Sequence, residues 1–232
     1  GIDIAIYCYV DDLLVSSSDE SSEQYFEEIF YKRWEGSTGS GGLATALLGM
    51  NIHHYEDQGC IVLNNEIMID DIAVTFKVTE GTFWKTPMSE KFDPKYDPNE
   101  EDLDTSTYNY RSLCGALLFV VTHTRPDCAC ACSMICSAMA KPQMKHWLAA
   151  KRLARYLYLT KTLGLCYRQV DSANLNKIHA YVDASWAAES GARSRAGYMI
   201  KLNGSTVCYR SKLISTICLS SAEAETTAAV AC

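Results

Sequence analysis

Two adjacent carboxylates, Asp11 and Asp12, lie between two apolar stretches near the start of the chain. Like charges at this spacing repel each other, and each carboxylate resists burial. A divalent cation reverses that balance, because two metal ions held by carboxylates can activate an attacking 3′-hydroxyl and stabilise a leaving pyrophosphate. Mg²⁺ keeps several waters and takes few protein ligands, so an aspartate pair suits one part of such a site. The alternative interpretation is an ordinary solvated turn.

A second pair of candidate carboxylates, Asp183 and Glu225, lies towards the other end of the sequence. Asp183 is predicted to end the strand 178–183, where a carboxylate either faces a metal ion at the mouth of a sheet or simply begins a turn. Ser220 and Glu223 fit a Ser-x-x-Glu capping box, which accounts for Glu223 without catalysis. Glu225 is then free to point towards Asp183 from the first turns of the predicted helix.

The stretch 143–158 is predicted to form an amphipathic helix with one cationic face. It lies between Asp127 and Asp171, an interval with no acidic residue and seven Lys and Arg. A net charge of −7 argues against a general nucleic-acid binder, but a local basic strip still permits contact with phosphates. A solvated helix face is the alternative. The candidate contact residues are Lys145, Lys151, Arg152 and Arg155.

The eleven cysteines are scattered and mostly flanked by apolar residues, and the sequence has no secretory signal and no apolar run of 18 residues. We therefore expect reduced thiols and no membrane partner. The densest group is Cys128, Cys130, Cys132 and Cys136. Zinc sites usually take C-x-x-C pairs, whereas three of these four are spaced four residues apart, as on a helix face. We favour the helix face and keep a metal-binding structural module as an alternative.

The elements that must position these residues indicate an α+β chain. The first half is predicted to contain a hairpin with Asp11-Asp12 as its turn, a helix capped by Ser21 or Ser22, a flexible Gly/Ser break, a second hairpin and another helix. The first hairpin is predicted at 2–10 and 13–16, and the break at 36–42. The second hairpin is predicted at 47–55 and 60–63, and the helix after it at 65–80.

The second half begins with a loop-like stretch at 86–104, followed by a helical block at 108–159. Proline predicts breaks in this block at Arg125-Pro126 and Lys141-Pro142. A final unit is predicted to contain strands at 178–183, 196–202 and 205–210, an Asn203-Gly204 turn and a helix starting at Ser220.

Motifs along nearly the whole chain resemble the Pol polyprotein of copia-type LTR retrotransposons, in family order. Tyr9-Val10-Asp11-Asp12 resembles the metal-binding signature of reverse transcriptases, and 183–187 with 219–225 resemble the start of the family's ribonuclease H domain. Two departures are the Gly/Ser break and Tyr209, which stands where tryptophan is usual. The other matching stretches are 13–15, 48–52, 86–88, 110–118, 124–127, 142, 146–147, 149–152, 155–157, 164–165, 194–198 and 211–212.

The resemblance implies a partial reverse transcriptase palm, thumb and connection followed by a truncated ribonuclease H-like α/β domain. The implied domains are a palm remnant with the following region at 1–85, a linker and largely helical thumb or connection region at 86–170, and the ribonuclease H-like part at 175–232. In ribonuclease H enzymes small apolar residues follow the helix glutamate, as Ala228-Ala229-Val230 follow Glu225. The resemblance therefore favours Glu225, with Glu223 as the alternate.

The resemblance also implies RNA-directed DNA synthesis and cleavage of RNA in an RNA–DNA hybrid. It implies Mg²⁺, with Mn²⁺ as an alternative, on Asp11, Asp12, Asp183 and Glu225. Implied partners are a template–primer duplex or hybrid, dNTPs and the rest of Pol, within a cytoplasmic particle or the nucleus. Because a third polymerase carboxylate is expected upstream and two more ribonuclease H carboxylates downstream, we expect this chain to be inactive alone. A catalytically dead nucleic-acid-binding remnant is the alternative.

Overall fold

The computed structural model of the protein describes residues 4–10, 12–17, 19–34, 43–171, 175–189 and 191–232. It contains both helices and strands in a mixed α+β arrangement, as the sequence predicts. The chain forms two compact units, Gly1–Ile52 and His53–Cys232. This division does not follow the boundaries expected at 85 and 170–175, and the three-domain assignment stays a prediction.

The first unit opens with the predicted hairpin. Strands β1 (Ile4–Tyr9) and β2 (Asp12–Ser17) pair antiparallel with Tyr9 opposite Asp12. Asp12 is therefore the first residue of β2 and not a turn residue, which corrects the prediction. Val10, in the two-residue turn, has a φ of 54°, the positive value that a tight hairpin turn requires. Asp11 lies outside the described residues.

Helix α1 (Glu20–Arg33) follows, and its cap differs from the prediction. Asp19 caps it, not Ser21 or Ser22, because the Asp19 carboxylate accepts a 2.9 Å hydrogen bond from the Ser22 amide. A carboxylate at this position also interacts favourably with the helix dipole. The predicted Gly/Ser break at 36–42 lies outside the described residues. Strand β3 (Ala46–Leu47) then pairs with the start of β4 (Met50–Tyr55).

The second unit is built around four helices. They are α2 (Glu66–Thr75), α3 (Tyr110–Thr124), α4 (Ala129–Ser137) and α5 (Met144–Leu159). Both predicted proline breaks are confirmed. Helix α2 ends five residues before the predicted residue 80, since Lys77 has a left-handed φ of 53° that stops the helix.

Apolar stripes of these helices pack into the main core. Helix α5 contributes the stripe Ala150, Leu153, Ala154 and Leu157, spaced three and four residues apart. The Tyr110 hydroxyl, 1% exposed, donates a 2.8 Å hydrogen bond to the Ile135 carbonyl. That bond ties the start of α3 to the end of α4 and satisfies a phenol that the core would otherwise leave unpaired.

Two short strands pair with each other in the second unit. Strand β5 (Cys60–Asn64), predicted as the second strand of a hairpin, pairs antiparallel with β6 (Leu165–Arg168), which the sequence did not reveal. Gly164 stands immediately before β6. A Cβ atom there would lie 2.0 Å from the Leu63 carbonyl oxygen, so the close approach of the two strands requires glycine.

A three-stranded antiparallel sheet ends the chain. Its order is β7 (Ile178–Glu189), β8 (Arg193–Leu202) and β9 (Ser205–Leu213), and helix α6 (Ser221–Ala231) packs on it. The Asn203-Gly204 turn is confirmed, with φ values of 53° and 81° that suit a type I′ hairpin. Asp183 does not end a strand, because β7 continues to Glu189. The predicted third strand likewise ends at Leu213 instead of residue 210.

A buried guanidinium holds the break between α3 and α4. Arg125, 1% exposed, donates two hydrogen bonds of 2.9 and 2.7 Å to the Asp127 carboxylate. It donates two more, of 3.0 and 2.8 Å, to the carbonyl and hydroxyl of Thr160 at the end of α5. Burial raises the pKa of Asp127, but the Arg125 hydrogen bonds and charge outweigh it and the net pKa is lowered. The ion pair therefore fixes the α3–α4 corner against α5.

Replacing Arg125 with Ala should lower the free energy of unfolding by about 3–5 kcal/mol, because it strands the partly buried Asp127 carboxylate and the Thr160 carbonyl. Urea denaturation measures this as a lower midpoint with an unchanged slope. Arg111→Ala is the matched control, since Arg111 is exposed with one long contact of 3.5 Å to Met139, and it should change stability by less than about 0.5 kcal/mol. Equal effects of the two substitutions would contradict the structural role of Arg125.

Candidate functional site

The hairpin tip places the first candidate carboxylate in the open. Asp12 is exposed at the start of β2, opposite Tyr9, and Val10 beside it is 86% exposed. A short antiparallel hairpin presents the residues at its turn away from both strands. Asp12 is therefore accessible to a ligand, whereas Asp11 lies outside the described residues.

Asp183 lies in the middle of β7, paired with Gly197 of β8, and is exposed. Its neighbours Val182 and Ala184 pack against the small core formed by Ala196, Ile214, Cys218, Ala224 and Ala228. Because side chains alternate between the two faces of a strand, Asp183 points to the face opposite this core. Helix α6 contributes to that core, so Asp183 and the buried side of α6 are on different faces of the sheet.

The two candidate glutamates of α6 have different surroundings. The Glu223 amide donates a 3.2 Å hydrogen bond to the Ser220 hydroxyl, and the Glu223 carboxylate accepts a 2.6 Å bond from the Leu219 amide. The predicted capping arrangement is present, although the carboxylate reaches the Leu219 amide instead of that of Ser220. Glu225 is exposed beside the buried Ala224. The assignment of Glu225 as the functional glutamate stays a prediction.

Within the described ranges, no group of three or more His, Cys, Asp or Glu side chains is placed to hold a metal ion. The cysteine group follows the helix spacing: Cys128 and Cys132 are buried, while Cys130 is exposed. The Cys132 and Cys136 sulfurs are 3.9 Å apart. Burial raises the pKa of the Cys128 thiol, which favours its protonated form.

The cationic face of α5 is partly engaged within the chain. Arg155 donates to the carbonyls of Val78, Thr79 and Gly81, with distances of 2.9 Å to Val78 and 2.9 Å to Gly81. Arg152 donates to the Thr86 hydroxyl at 2.8 Å and the Met88 carbonyl at 3.0 Å.

The segment 77–92 contains no helix or strand, so these guanidiniums satisfy carbonyls that secondary structure would otherwise pair. Arg152 also lies over the Trp84 ring, 4.3 Å from its centre. The two lysines of the predicted interface differ from each other, since Lys145 lies 3.8 Å from Glu100 and Lys151 makes no ion pair within the described residues.

The start of α5 is fixed to the preceding loop by Gln143 and His146, both fully buried. The Gln143 side chain accepts from the Asp97 amide at 2.9 Å and donates to the carbonyls of Asp97 and Glu100. The Gln143 backbone N–H donates to His146 Nδ1 at 2.8 Å, and His146 Nε2 lies 3.1 Å from the Pro94 carbonyl oxygen. Since Nδ1 accepts and Nε2 faces an acceptor, the ring is neutral with its proton on Nε2.

Comparison with known proteins shows the family to which the chain belongs. No family model and no solved structure matches the chain. The chain is 31% identical over 224 residues to a transposon Ty5-1 protein of Saccharomyces cerevisiae, covering 96% of this chain and 70% of that protein. It is 28% identical over 231 residues to the retrovirus-related Pol polyprotein from transposon TNT 1-94 of Nicotiana tabacum, covering 97% of this chain. The chain belongs to the copia-type retrotransposon Pol polyproteins.

The copia-type chain spans 17% of the tobacco polyprotein. It is also 41% identical over 117 residues to the secreted RxLR effector protein 161 of Plasmopara viticola, which covers 50% of this chain and 80% of that protein. None of the helices in the described ranges of this Pol chain is long and apolar enough to cross a membrane.

Sequence reasoning missed three residues that shape this part of the copia-type chain. Trp84 supports Arg152, Gln143 holds the 97–100 loop, and Arg125 holds the helix corner. Arg125 and Gln143 each lie beside a proline that predicts a break in the helical block. A charged or amide side chain next to a proline between two predicted helices is the signal that could have found them.

Replacing Arg155 with Ala should destabilise the second unit by about 2–3 kcal/mol, because three carbonyls lose a charged donor. Lys151→Ala removes the same charge from the same helix and should cost less than about 0.5 kcal/mol. Urea midpoints of the two variants measure the difference. If both variants match the parent chain, Arg155 is a solvated surface cation and its carbonyl contacts contribute little.

Acidification should loosen the start of α5. Burial lowers the pKa of His146, so its neutral form stabilises the fold fully above the unfolded pKa of about 6.5. This contribution is lost as the pH falls through the lowered folded pKa. Unfolding free energies measured across that window should fall with pH in the parent chain. His146→Gln should flatten this dependence, whereas His179→Gln, at an exposed position, should leave it unchanged.

Proposed function

We propose that this chain is the segment of a copia-type Pol polyprotein that joins the polymerase active site to the ribonuclease H active site. In this proposal Asp11 and Asp12 belong to a reverse transcriptase palm, and Asp183 and Glu225 to a ribonuclease H-like domain. The reactions are RNA-directed DNA synthesis from dNTPs and hydrolysis of the RNA strand of an RNA–DNA hybrid. They would take place inside the cell, in a cytoplasmic particle or the nucleus.

The observation that carries the proposal is the register of the first hairpin. Tyr9 pairs with Asp12 where the hairpin turns, so the Asp12 carboxylate lies exposed at the end of the strands. This is the position from which aspartates can reach a metal-bound nucleotide and primer end. An antiparallel sheet with a helix packed on it, at 175–232, supports the ribonuclease H-like assignment.

The candidate carboxylates are of the chemical type that binds Mg²⁺, but too few of the described ones lie together to hold the ion. Carboxylate oxygens are the ligands that Mg²⁺ and the alternative Mn²⁺ prefer. The described carboxylates Asp12, Asp183 and Glu225 do not assemble into any group of three that could hold a metal ion. We therefore propose that the remaining ligands come from other segments of Pol, and that the 232-residue chain alone catalyses neither reaction at a useful rate.

Primer-extension and ribonuclease H assays with Mg²⁺ on this chain, and on one extended in both directions through the neighbouring reading frame, test the proposal. Only the extended chain should be active. In that background Asp12→Asn should abolish primer extension and retain hybrid cleavage, while Asp183→Asn and Glu225→Gln should do the reverse. Glu223→Gln is the matched control and should keep both activities, with a loss of about 1 kcal/mol of stability at the cap. A folded, inactive extended chain would overturn the proposal.

A second candidate is a catalytically dead nucleic-acid-binding remnant. The observation that favours it is the acid-free interval around α5, where Lys145, Lys151, Arg152 and Arg155 lie close together. Salt-dependent binding of a hybrid or template–primer duplex by a folded extended chain that shows no turnover would support this candidate over the enzyme.

A further inference from the structure

A cavity of about 650 Å³ lies beside α5 and is lined by residues of the segment 77–92 and of the first three turns of the helix. We call it the α5 groove. Its volume falls within the range of about 300–1,000 Å³ that is usual for ligand sites. All of its lining residues belong to the second unit.

The α5 groove concentrates positive charge. Six of its lining residues are cationic and one, Glu80, is acidic, in a chain whose net charge is −7. Arg152 and Arg155 hold carbonyls, and Lys145 lies near Glu100. The remaining three cations form no ion pair among the described residues; they are Lys77, Lys91 and Lys151. Unpaired like charges around one cavity repel each other, so an anionic ligand would stabilise the arrangement.

Two buried donors at the α5 groove also need acceptors. The Nε atoms of Arg152 and Arg155 are buried and have no hydrogen-bond partner within the described residues. Buried donors in folded proteins are nearly always satisfied, so these two N–H groups indicate either a water enclosed behind the guanidiniums or a shift of these side chains when a ligand binds. Phosphate oxygens suit guanidinium donors especially well.

The α5 groove has an apolar floor in addition to its charge. Trp84 and Leu148 line it and are 41% and 59% exposed, and Phe92 and Met88 complete the floor. A simple inorganic anion does not need such a surface. A duplex presents phosphates outward and keeps its bases stacked inside, whereas an unpaired strand can place a base against an aromatic or apolar surface.

We propose that the α5 groove binds an unpaired stretch of nucleic acid, with phosphates at Lys77, Lys91 and Lys151 and a base against Trp84 and Leu148. The site deepens the proposed function and rests on it, since it assumes that the chain handles nucleic acid. It uses none of the four candidate catalytic carboxylates. Binding is therefore independent of Mg²⁺ and of either reaction.

Fluorescence anisotropy of a labelled oligothymidylate with the 232-residue chain, in EDTA, tests the charge of the α5 groove. Affinity should fall steeply between about 50 and 200 mM salt. Combined Lys91→Ala and Lys151→Ala should lower the slope of log K against log salt by about 1.4, or about 0.7 for each lost phosphate contact. Lys212→Ala, at an exposed position on β9, is the matched charge control and should leave the slope unchanged.

A second variant tests the floor of the α5 groove without threatening the fold. Leu148→Glu places a carboxylate at a position that is already 59% exposed, and it should weaken oligothymidylate binding about tenfold or more. Leu118→Glu, on the exposed side of α3 and 41% exposed, is the matched control. Circular dichroism and melting temperature should be the same for both variants and the parent chain.

Competition identifies the ligand. An unlabelled single strand should displace the probe at much lower concentration than a hybrid duplex, a dNTP or pyrophosphate. Equal competition by duplex would overturn the proposal in favour of a phosphate-contacting helix face, and equal competition by dNTP or pyrophosphate would reduce the groove to an anion site. No binding at low salt would also overturn it, yet would leave the polymerase and ribonuclease H proposal standing, because that proposal is tested by Mg²⁺-dependent activity of the extended chain.

Discussion

The Arg125 guanidinium is the contact on which the arrangement of the second unit depends. It is buried where α3 ends, and it binds both Asp127 ahead of α4 and Thr160 after α5. A charge in a protein interior tolerates very few arrangements, because each donor must keep its acceptor. The end of α3, the start of α4 and the end of α5 are therefore held together at this corner, and the Tyr209 hydroxyl of the last sheet donates a hydrogen bond to the Val121 carbonyl near it.

In this copia-type chain, arginine side chains bind backbone carbonyls that no helix or strand pairs. The segment 77–92 has no helix or strand of its own, and the guanidiniums of α5 bind its carbonyls one after another. The same side chains were predicted from the sequence to face phosphates. A guanidinium presents the same planar set of donors to a carbonyl oxygen and to a phosphate oxygen, so composition alone cannot tell an internal clamp from a nucleic-acid contact.

Sequence reasoning succeeded where the cause of a structure is local. The helical block is interrupted at both predicted prolines, Asn203-Gly204 forms the tight turn, and Ser220 with Glu223 caps α6. It failed where the cause is distant. The partners of Arg155 lie 74 to 77 residues away, and the paired residues of β5 and β6 are more than a hundred residues apart, so no window of neighbouring residues contains that information. Of the candidate site, the hairpin was predictable, but the face on which Asp183 lies depends on what packs against β7.

Among its described residues, the second unit has two hydrophobic cores that share no residue, one among the helices and a small one between the last sheet and α6. Polar contacts link them: the Tyr209 phenol meets the Val121 carbonyl, and Arg195 donates to the Ser133 hydroxyl. Water can replace such partners at little cost, whereas it cannot replace buried apolar contacts. Mutations that erode one core therefore leave the packing of the other in place. The helical part of the second unit and its final sheet can therefore lose their structure independently of each other.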